Sequence, residues 1–463
     1  MDALSLRYVA DACVGELLAG SPAVQVLRVG TDSRQARAGD LFVALAGEKF
    51  DGHSFLADVA GKGVAAVMVA RAKLGLAANL PQSVGVIAVD DTRAALGRFA
   101  ASYRADFNLP VIAVGGSNGK TTTKELLASV LRQLGPALWS EASFNNDIGV
   151  PLTLLKLERA HRSAVVEVGT NHPGELAPLV RMIQPQFGII TSIGREHLEF
   201  FGSVAGVAQE EGTLAELLPA SGKLFINGDS EWTPAIARRT SAAVVKVGFD
   251  GRNDWRARRV WVGEGGVGFE AETPRPEFSG EYQLRLLGRH QVSNALLALA
   301  VGTELGATPE QLRRGLAGCA PPKMRLQVWE AHGVRVLDDG YNANADSMLA
   351  ALETLLDYPC QGRRVAVLGD MAELGAHTAE AHREIGRRAA ELGVNLLVAV
   401  GKWARETTQA AREAGLNDVC EIPDVTSAAA LKSLVQPGDV VLLKASRSMG
   451  FEKLGEALRA GAP

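Results

Sequence analysis

Short apolar runs, rich in β-branched residues or leucine, alternate with longer amphipathic stretches along most of this chain. The apolar runs are Val111–Val114, Ala164–Val168, Phe187–Ser192, Val365–Leu368, Leu396–Val400 and Val440–Leu443. Runs without polar alternation are typical of parallel strands that are covered on both faces. Between them, Asp91–Tyr103 and Thr121–Leu134 repeat apolar residues at helical spacing, and Asp91 is a predicted N-cap. The alternation of strand and helix predicts an α/β fold with parallel sheets.

The length of the chain, 463 residues, exceeds what one hydrophobic core supports and favours three domains. The segment Thr240–Tyr282 breaks the alternation, and its period-two stretches predict an antiparallel β insertion. Boundaries are predicted near Val89–Asp91, before a long helix, and near Cys319–Pro322, where two prolines follow each other. We therefore expect domains at residues 1–89, 90–320 and 321–463.

Composition and charge argue against several classes of protein. The chain is 47% hydrophobic and 22% charged, with a net charge of −4 and no dense run of lysine and arginine, which argues against a nucleic-acid partner. No stretch approaches the roughly 20 apolar residues of a membrane span, and the first residues do not form a secretory signal. The four cysteines lie far apart, as expected for thiols in a reducing compartment rather than for a disulfide or zinc framework. We expect a cytoplasmic protein.

The sequence Gly115–Thr122, GGSNGKTT, follows a predicted strand and opens a predicted helix. Glycines let the backbone curl around phosphate oxygens, the helix N-terminus adds partial positive charge, and Lys120 can reach the β- and γ-phosphates. The longer phosphate-loop motif has a glycine where this chain has Val114, so the loop is a shortened version of it. The loop predicts nucleotide binding without naming the reaction. No guanine-binding Asn-Lys-x-Asp motif follows, which disfavours a GTPase switch.

Further segments decide between nucleotide-binding classes. The loop GSNGKTTTKE resembles that of the Mur ligases of peptidoglycan synthesis and of their folylpolyglutamate synthetase relatives. Segments in the family's order extend the resemblance over essentially the full length: Thr31–Arg34, Gly39–Phe55, Phe144–Pro151, Glu167–Glu175, Glu196–Gly202, Gly288–Ala295, Leu337–Met348, Leu368–Gly375 and Lys444–Arg447. The segments LDDGYNANADSM and LGDMAELG resemble the branch that adds D-alanyl-D-alanine rather than the branch that adds a diamino acid.

The resemblance implies an ATP-dependent carbon–nitrogen ligase that uses Mg²⁺ and joins D-alanyl-D-alanine to UDP-N-acetylmuramoyl-tripeptide through an acyl phosphate. It implies three domains: a small N-terminal α/β domain for the UDP substrate, a central ATPase domain, and a C-terminal Rossmann-like domain for the amine. We expect a monomer. The alternatives are another ligase of the same group and a non-enzymatic, nucleotide-gated binding protein.

The resemblance also implies site residues. The catalytic candidates are Lys120, Glu167 and His197, and the metal candidates are Thr121, Glu167 and His197, with Glu211 as a further candidate. The nucleotide-binding candidates are Gly116, Ser117, Asn118, Gly119, Lys120, Thr121, Thr122, Asn294, Arg325, Asp339, Tyr341 and Asn342. The substrate-binding candidates are Ser33, Arg34, Asn145, Asn146, Asn344, Lys444 and Arg447.

Each candidate also has a simpler interpretation. His197 resembles an ordinary hydrogen-bonded loop residue, Asn294 a plain N-cap, and Tyr341–Asn344 an Asx-rich turn. Ser33 and Arg34 resemble an exposed turn. Near Asn294, position 291 departs from the family pattern: this chain has Gln291, and the family usually has asparagine there.

Glu211 marks a second departure. The family commonly has a lysine at this position, carbamylated by CO₂, whose carbamate joins a metal site. A carboxylate supplies the same negative oxygens on a shorter side chain, so we hypothesise that Glu211, or its neighbour Glu210, replaces the carbamate. Two adjacent acids are also a common solvated helix face.

Overall fold

A computed structural model describes residues 1–47 and 49–460. Glu48, which belongs to the motif at residues 39–55, lies outside the described residues. The strands assemble into three large sheets in chain order, and a two-stranded ribbon accompanies the first of them. The prediction of an α/β fold with parallel sheets is therefore confirmed.

The N-terminal sheet has the strand order β2-β7-β6-β5-β4, parallel except for the antiparallel edge pair β2–β7. Its elements, including the β1–β3 ribbon, are β1 (Leu4–Ser5), α1 (Leu6–Cys13), β2 (Glu16–Ala19), β3 (Gln25–Val26), β4 (Arg28–Gly30), β5 (Asp40–Val43), α2 (Leu56–Gly61), β6 (Ala66–Ala70) and β7 (Gly85–Val89). Short 3₁₀ turns lie at Ser33–Gln35, Gly52–Phe55 and Arg71–Ala77.

The central sheet has nine strands in the order β16-β15-β14-β13-β12-β11-β8-β10-β9. Its elements are α3 (Thr92–Ala105), β8 (Val111–Gly115), α4 (Lys120–Leu131), β9 (Ala137–Trp139), α5 (Gly149–Leu154), β10 (Ser163–Glu167), α6 (Leu176–Ile183), β11 (Phe187–Ile190), α7 (Leu198–Phe201), α8 (Val204–Glu216), β12 (Lys223–Asn227), α9 (Thr233–Ala237), β13 (Ala243–Gly248), β14 (Trp255–Gly263), β15 (Gly266–Glu272), β16 (Gly280–Leu284), α10 (Gln291–Glu304) and α11 (Pro309–Gly318). A 3₁₀ turn at Pro276–Phe278 precedes β16.

The C-terminal sheet has the order β17-β18-β22-β19-β20-β21, parallel except for its antiparallel edge strand β17. Its elements are β17 (Gln327–Ala331), β18 (Val334–Asp338), α12 (Ala345–Asp357), β19 (Arg364–Gly369), α13 (Thr378–Glu391), β20 (Leu396–Val400), α14 (Ala404–Glu413), β21 (Val419–Ile422), α15 (Ala428–Leu434), β22 (Val440–Lys444) and α16 (Glu452–Arg459). Further 3₁₀ turns lie at Gly375–His377, Val425–Ser427 and Arg447–Met449. In the part of the chain that the structure describes, no helix combines the length and apolarity needed to cross a membrane.

The segment predicted as an antiparallel insertion has a different architecture. Its first strand, β13, pairs in parallel with β12, and β13 pairs in parallel with β14. The antiparallel pairs of this segment are β14 with β15 and β15 with β16. The prediction of an antiparallel segment is therefore confirmed for β14–β16 and wrong for β13, because the parallel part of the central sheet continues through β13 before the chain reverses direction.

Helix α3 joins the first two sheets. Asp91 caps it, since its carboxylate accepts a 2.8 Å hydrogen bond from the N–H of Ala94. The buried face of α3, which includes Leu96 and Phe99, packs against α1 on one side and against α5 and α6 on the other. One apolar cluster therefore runs from Leu6 through this helix into the central sheet. The domain limit near residue 90 stays a prediction.

Candidate functional site

The phosphate loop lies between β8 and α4 and is shaped by two glycines. Gly116 and Gly119 have φ angles of 109° and 88°, in the left-handed region that favours glycine. A Cβ atom at Gly116 would lie 2.5 Å from the hydroxyl of Thr191, and one at Gly119 would lie 2.4 Å from the side-chain oxygen of Asn294. Both positions therefore require glycine for space as well as for conformation.

The first N–H groups of the loop are bonded within the protein. Those of Gly116, Ser117 and Asn118 donate to Glu211 Oε2, to the carbonyl of Ser192 and to the hydroxyl of Ser192, at 2.6, 2.8 and 2.9 Å. The first turn of an α-helix, by contrast, has no intrahelical acceptors for its N–H groups. The start of α4, at Lys120, is consequently the part of the loop best suited to receive phosphate oxygens.

Lys120 lies among carboxylates at this helix start. Its ammonium group donates to the carbonyls of Gly116 and Ser117 and lies 3.4 Å from Glu196 Oε2. Burial alone would lower the pKa of Lys120, but the negative charges of Glu196, Glu211 and Glu167 outweigh it, so the pKa is raised. Lys120 therefore remains a cation beside the phosphate loop.

Glu167 ends β10 opposite the start of α4. Its Oε1 accepts hydrogen bonds from the Thr121 hydroxyl at 3.2 Å and from Asn145 Nδ2 at 3.0 Å. Its Oε2 is buried and has no hydrogen-bond partner, although Lys124 Nζ lies 3.6 Å away. Lys124 itself is fully buried and donates to the carbonyls of Ser140 and Ala142. Lys124 thus helps to hold the side chain of Glu167 in position.

The candidate ligands for a magnesium ion in this site are single oxygen atoms rather than a cluster of His, Cys, Asp and Glu side chains. Within residues 1–47 and 49–460, no group of three His, Cys, Asp or Glu side chains has metal-binding geometry. The buried, unbonded Oε2 of Glu167 and the nearby hydroxyl of Thr121 are oxygen donors of the kind that Mg²⁺ accepts together with phosphate and water. The ring of His197 instead contacts Glu373 through Nδ1 and lies 4.0 Å from Glu196 through Nε2.

A cleft of about 1440 Å³ separates this loop from the C-terminal sheet. Most predicted site residues line it: Ser117, Asn118, Gly119, Lys120, Thr121, Thr122, Asn145, Asn146, Glu167, His197, Asn294, Arg325, Asp339, Tyr341, Asn342, Asn344, Lys444 and Arg447. Gly116 belongs to the loop but does not line the cleft, and Ser33 and Arg34 lie outside the cleft in the 3₁₀ turn of the N-terminal sheet. Arg34 is exposed and pairs with Asp32. The structure therefore brings together the central and C-terminal candidates but not the N-terminal pair.

The C-terminal wall reaches across the cleft to the phosphate loop. Arg325 donates to the Thr121 hydroxyl at 3.1 Å and stacks over the ring of Tyr341, 4.4 Å from its centroid. Asn344 Nδ2 donates to the side-chain oxygen of Asn118 at 3.0 Å. The two walls are thus in direct contact.

Lys444 ends β22 on the same wall. Its ammonium group forms a buried ion pair with Asp339 and donates to the carbonyl of Asn342 at 3.2 Å. The backbone N–H of Arg447 donates to Asn342 Oδ1 at 3.4 Å. These bonds shape the turn that carries Tyr341 and Asn342.

Asn294 is not an N-cap, contrary to the simpler interpretation of the sequence. Helix α10 begins three residues earlier, at Gln291, and His290 precedes it. Asn294 Nδ2 donates to Gln291 Oε1 at 2.8 Å, and Asn294 Oδ1 accepts from the Thr123 hydroxyl at 3.2 Å. Gln291 Nε2 lies 2.9 Å from His290 Nε2. Desolvation by the surrounding walls lowers the pKa of His290 to about 4, although the side chain is exposed to the cleft. Gln291 therefore links a neutral imidazole to Asn294, so the departure from the family has a structural role here.

Glu211 lies on α8, behind the phosphate loop, and does not line the cleft. One of its oxygens is bonded to Gly116, and the other is buried without a hydrogen-bond partner. This position does not support direct contact with a metal in the cleft. It supports a role under the loop. The solvated-face interpretation is wrong for both acids, since Glu211 is 1% exposed and Glu210 is 8% exposed.

Sequence reasoning missed several residues of this site. Glu196, Lys124 and His290 were not identified, although each lies beside a residue that was. The spacing of Lys120 and Lys124, one helical turn apart, was the available signal for Lys124. Glu196 opens the quoted segment EHLEFFG, but nothing local indicates that it faces Lys120.

Comparisons with known proteins agree with this geometry. The Mur ligase middle domain family matches residues 114–302, the family described as Mur ligase, glutamate ligase domain matches residues 324–447, and the family described as Mur ligase family, catalytic domain matches residues 25–104. The UDP-N-acetylmuramoyl-tripeptide--D-alanyl-D-alanine ligase of Escherichia coli (strain K12) is 36% identical to the chain, with 99% of each covered.

Solved structures show the same similarity. A crystal structure of MurF from Acinetobacter baumannii superposes with a TM-score of 0.89 at 32% identity and covers 99% of both chains. The MurF ligase from Thermotoga maritima in complex with ADP has a TM-score of 0.80 at 27% identity, with 93% of this chain and 97% of that chain covered. The full-length similarity and the three matched regions show that the chain belongs to the Mur ligase family.

Proposed function

We propose that this protein is an ATP-dependent ligase that joins D-alanyl-D-alanine to UDP-N-acetylmuramoyl-tripeptide and releases ADP and phosphate. The observation that carries the proposal is the 36% identity, over 99% of both chains, to a ligase of that name. The cleft supports it, because a nucleotide loop on one wall faces a second wall with basic and amide side chains. One chain supplies both walls, so we expect a monomer to be sufficient. ATP and a UDP-linked precursor are cytoplasmic compounds, and we infer that the reaction takes place in the cytoplasm.

The chemistry requires activation of a carboxylate. In the first step a carboxylate oxygen of the tripeptide takes the γ-phosphoryl group, which gives an acyl phosphate and ADP. Phosphoryl transfer depends mainly on positioning and on neutralising charge. Lys120 and the start of α4 supply positive potential at the phosphates. Thr121 and Glu167 would hold Mg²⁺, which neutralises phosphate charge when bound, and His197 is a further candidate at the edge of this group.

In the second step the amine attacks the acyl carbon, the carbon–oxygen bond to phosphate breaks, and phosphate and a proton leave. We assign contact with the amine substrate to Asn344, Lys444 and Arg447 on the C-terminal wall, and contact with the peptide to Asn145 and Asn146. Arg325, Asp339, Tyr341, Asn342 and Asn294 are assigned to the nucleotide, and Ser33 and Arg34 to the UDP end. Contact between the two walls excludes water from an intermediate that water would hydrolyse.

One assay tests the function. ADP release is measured with UDP-N-acetylmuramoyl-tripeptide present, with and without D-alanyl-D-alanine, and with a diamino acid or glutamate in its place. We expect turnover that depends on D-alanyl-D-alanine. Turnover with another amine instead would identify a different ligase of the family. Nucleotide binding without any amine-dependent turnover would indicate a non-enzymatic binding protein.

A further inference from the structure

Four consecutive residues after β11, Gly194–His197, contact the two walls of the cleft in alternation. We call this stretch the connector segment. Gly194 and Glu196 contact the phosphate loop, whereas Arg195 and His197 contact the C-terminal part of the chain. The chain bends at Arg195 and at His197, whose φ is 48°, and the N–H of Glu196 donates to the carbonyl of Gly194 at 3.0 Å. These turns direct neighbouring residues of one short segment toward two surfaces.

The contacts with the phosphate loop involve its serine and its lysine. The N–H of Gly194 donates to the Ser117 hydroxyl at 2.9 Å, and Glu196 Oε2 lies 3.4 Å from Lys120 Nζ. Gly194 also permits a close approach, because a Cβ atom there would lie 2.4 Å from a carboxylate oxygen of Asp346. The connector segment is thus fixed to the phosphate loop at two points.

The contacts with the C-terminal part centre on Arg195. Its backbone N–H donates to Asp346 Oδ2 at 2.7 Å, and its Nε donates to Asp346 Oδ1 at 2.8 Å. Its Nη1 donates to Glu384 Oε2 at 2.5 Å. Asp346 lies in the first turn of α12 and Glu384 lies on α13, so one guanidinium group joins two helices of the C-terminal sheet.

The start of α12 is therefore held to the phosphate loop by two routes. Its N-cap Asn344 bonds directly to Asn118, and Asp346 is bonded to Arg195 in the connector segment. Arg195 is 29% exposed in its side chain, and planar guanidinium–carboxylate bonds define direction as well as distance. This arrangement sets the position of Asn344 relative to the phosphate loop.

We propose that Arg195 is a positioning residue for the ligase reaction. Through its bonds to Asp346 and Glu384, Arg195 fixes the position of the C-terminal wall relative to the phosphate loop. The inference rests on the proposed function. Arg195 acts on the amine substrate through α12 and does not itself contact reacting atoms. A displaced wall misplaces the amine relative to the acyl phosphate, and misplacements of about 1 Å can cost up to about 100-fold in rate.

The first test compares Arg195→Ala with the native enzyme in the amine-dependent assay. We expect kcat to fall about tenfold or more and KM for D-alanyl-D-alanine to rise, while the Kd for ATP, measured by calorimetry without the amine, changes less than about twofold. Arg195→Lys restores only part of the rate, since an ammonium group cannot bond two carboxylates in the same planar geometry. The matched control is Arg388→Ala, which removes a surface ion pair with Glu391 on α13 and should leave all three constants unchanged. Unchanged kcat and KM in Arg195→Ala, or equal losses in the control, would overturn the proposal.

A double-mutant cycle that combines Arg195→Ala with Asp346→Ala tests whether Arg195 acts through Asp346. Asp346 also stabilises the first turn of α12, and the cycle separates that local effect from its coupling to Arg195. We expect the double variant to be little slower than the slower single variant. If the rate losses of the two single variants multiply in the double variant, the two residues act independently and the proposed coupling through Asp346 is wrong.

Small-angle X-ray scattering supplies a readout that does not require ligase activity. We expect the native protein to have the radius of gyration of the structure, in which the two walls are already in contact, and Arg195→Ala to have a larger one. A scattering difference without amine-dependent turnover would overturn the proposed function and retain the coupling. Normal turnover with identical scattering in both proteins would overturn the coupling and retain the function.

Discussion

Glu211 accepts a 2.6 Å hydrogen bond from the backbone N–H of Gly116 and thereby joins helix α8 to the base of the phosphate loop. The carboxylate is buried, and its second oxygen has no hydrogen-bond partner. A Cβ atom at Gly115 would lie 2.9 Å from the same carboxylate, so the approach depends on glycine. The phosphate loop is consequently held in place by the side chain of Glu211, which does not line the cleft.

Glu211→Ala should destabilise the protein and weaken nucleotide binding. It leaves the N–H of Gly116 buried without an acceptor, which costs about 1–3 kcal/mol, and it frees the loop to move. Urea unfolding and ATP calorimetry measure the two effects. The control is Glu210→Ala, because Glu210 accepts 2.9 Å bonds from the N–H groups of Gly174 and Leu176, away from the loop. We expect the control to lose stability but to keep its affinity for ATP, and a loss of affinity in both variants would contradict the specific role of Glu211.

Turnover should be indifferent to bicarbonate. The sequence resemblance assigns a carbamylated lysine to the position of Glu211, and the carboxyl group of Glu211 belongs to the side chain itself and forms without CO₂. Initial rates measured in CO₂-depleted buffer, with and without added bicarbonate, should therefore agree. Stimulation by bicarbonate would contradict the hypothesis that Glu211 takes the place of a carbamate.

Lys120→Ala should abolish turnover and leave the fold intact. Lys120 is the cation at the start of α4, and its partners are two loop carbonyls and Glu196 rather than core side chains. Circular dichroism should match that of the native protein, the unfolding midpoint should fall because the buried Glu196 loses its cation, and ADP release should fall to background. Retained turnover would contradict the role assigned to this lysine at the phosphates.

Much of this arrangement could be predicted from local sequence, and the rest depends on residues far apart in the chain. The α/β alternation, the cap at Asp91 and the placement of Glu167 at a strand end follow from short-range patterns. The ion pair of Arg195 with Asp346 joins positions 151 residues apart, and no local pattern indicates it. The direction of β13 was likewise not predictable, since whether a strand is parallel or antiparallel depends on which neighbour it joins.

Lys124→Met should cost both stability and activity. The fully buried ammonium group donates to the carbonyls of Ser140 and Ala142 and lies 3.6 Å from Glu167 Oε2. Its removal breaks a 3.0 Å ion pair with Glu125 and leaves the buried carboxylate of Glu167 without the Lys124 cation, a change that typically costs about 3–5 kcal/mol. Urea unfolding measures the loss, and the dependence of turnover on Mg²⁺ concentration should shift to higher values. The double variant Lys124→Met with Glu167→Gln should recover stability but not activity, and failure to recover would mean that Lys124 stabilises the fold mainly through the carbonyls.

His290 should make the protein less stable in mild acid. Desolvation lowers the pKa of His290 to about 4, against about 6.5 for an unfolded histidine. Between these values the unfolded chain binds a proton that the folded protein does not, so stability is fully present above about pH 6.5 and is lost as the pH falls toward 4. Urea unfolding at pH 7 and pH 5 should show a loss that is smaller than the full linkage value, because the His290 side chain is exposed to the cleft and solvent screens its charge. His290→Gln, whose amide oxygen can still accept from Gln291, should reduce the difference between the two pH values. An equal pH dependence in the variant would show that other groups cause the acid sensitivity.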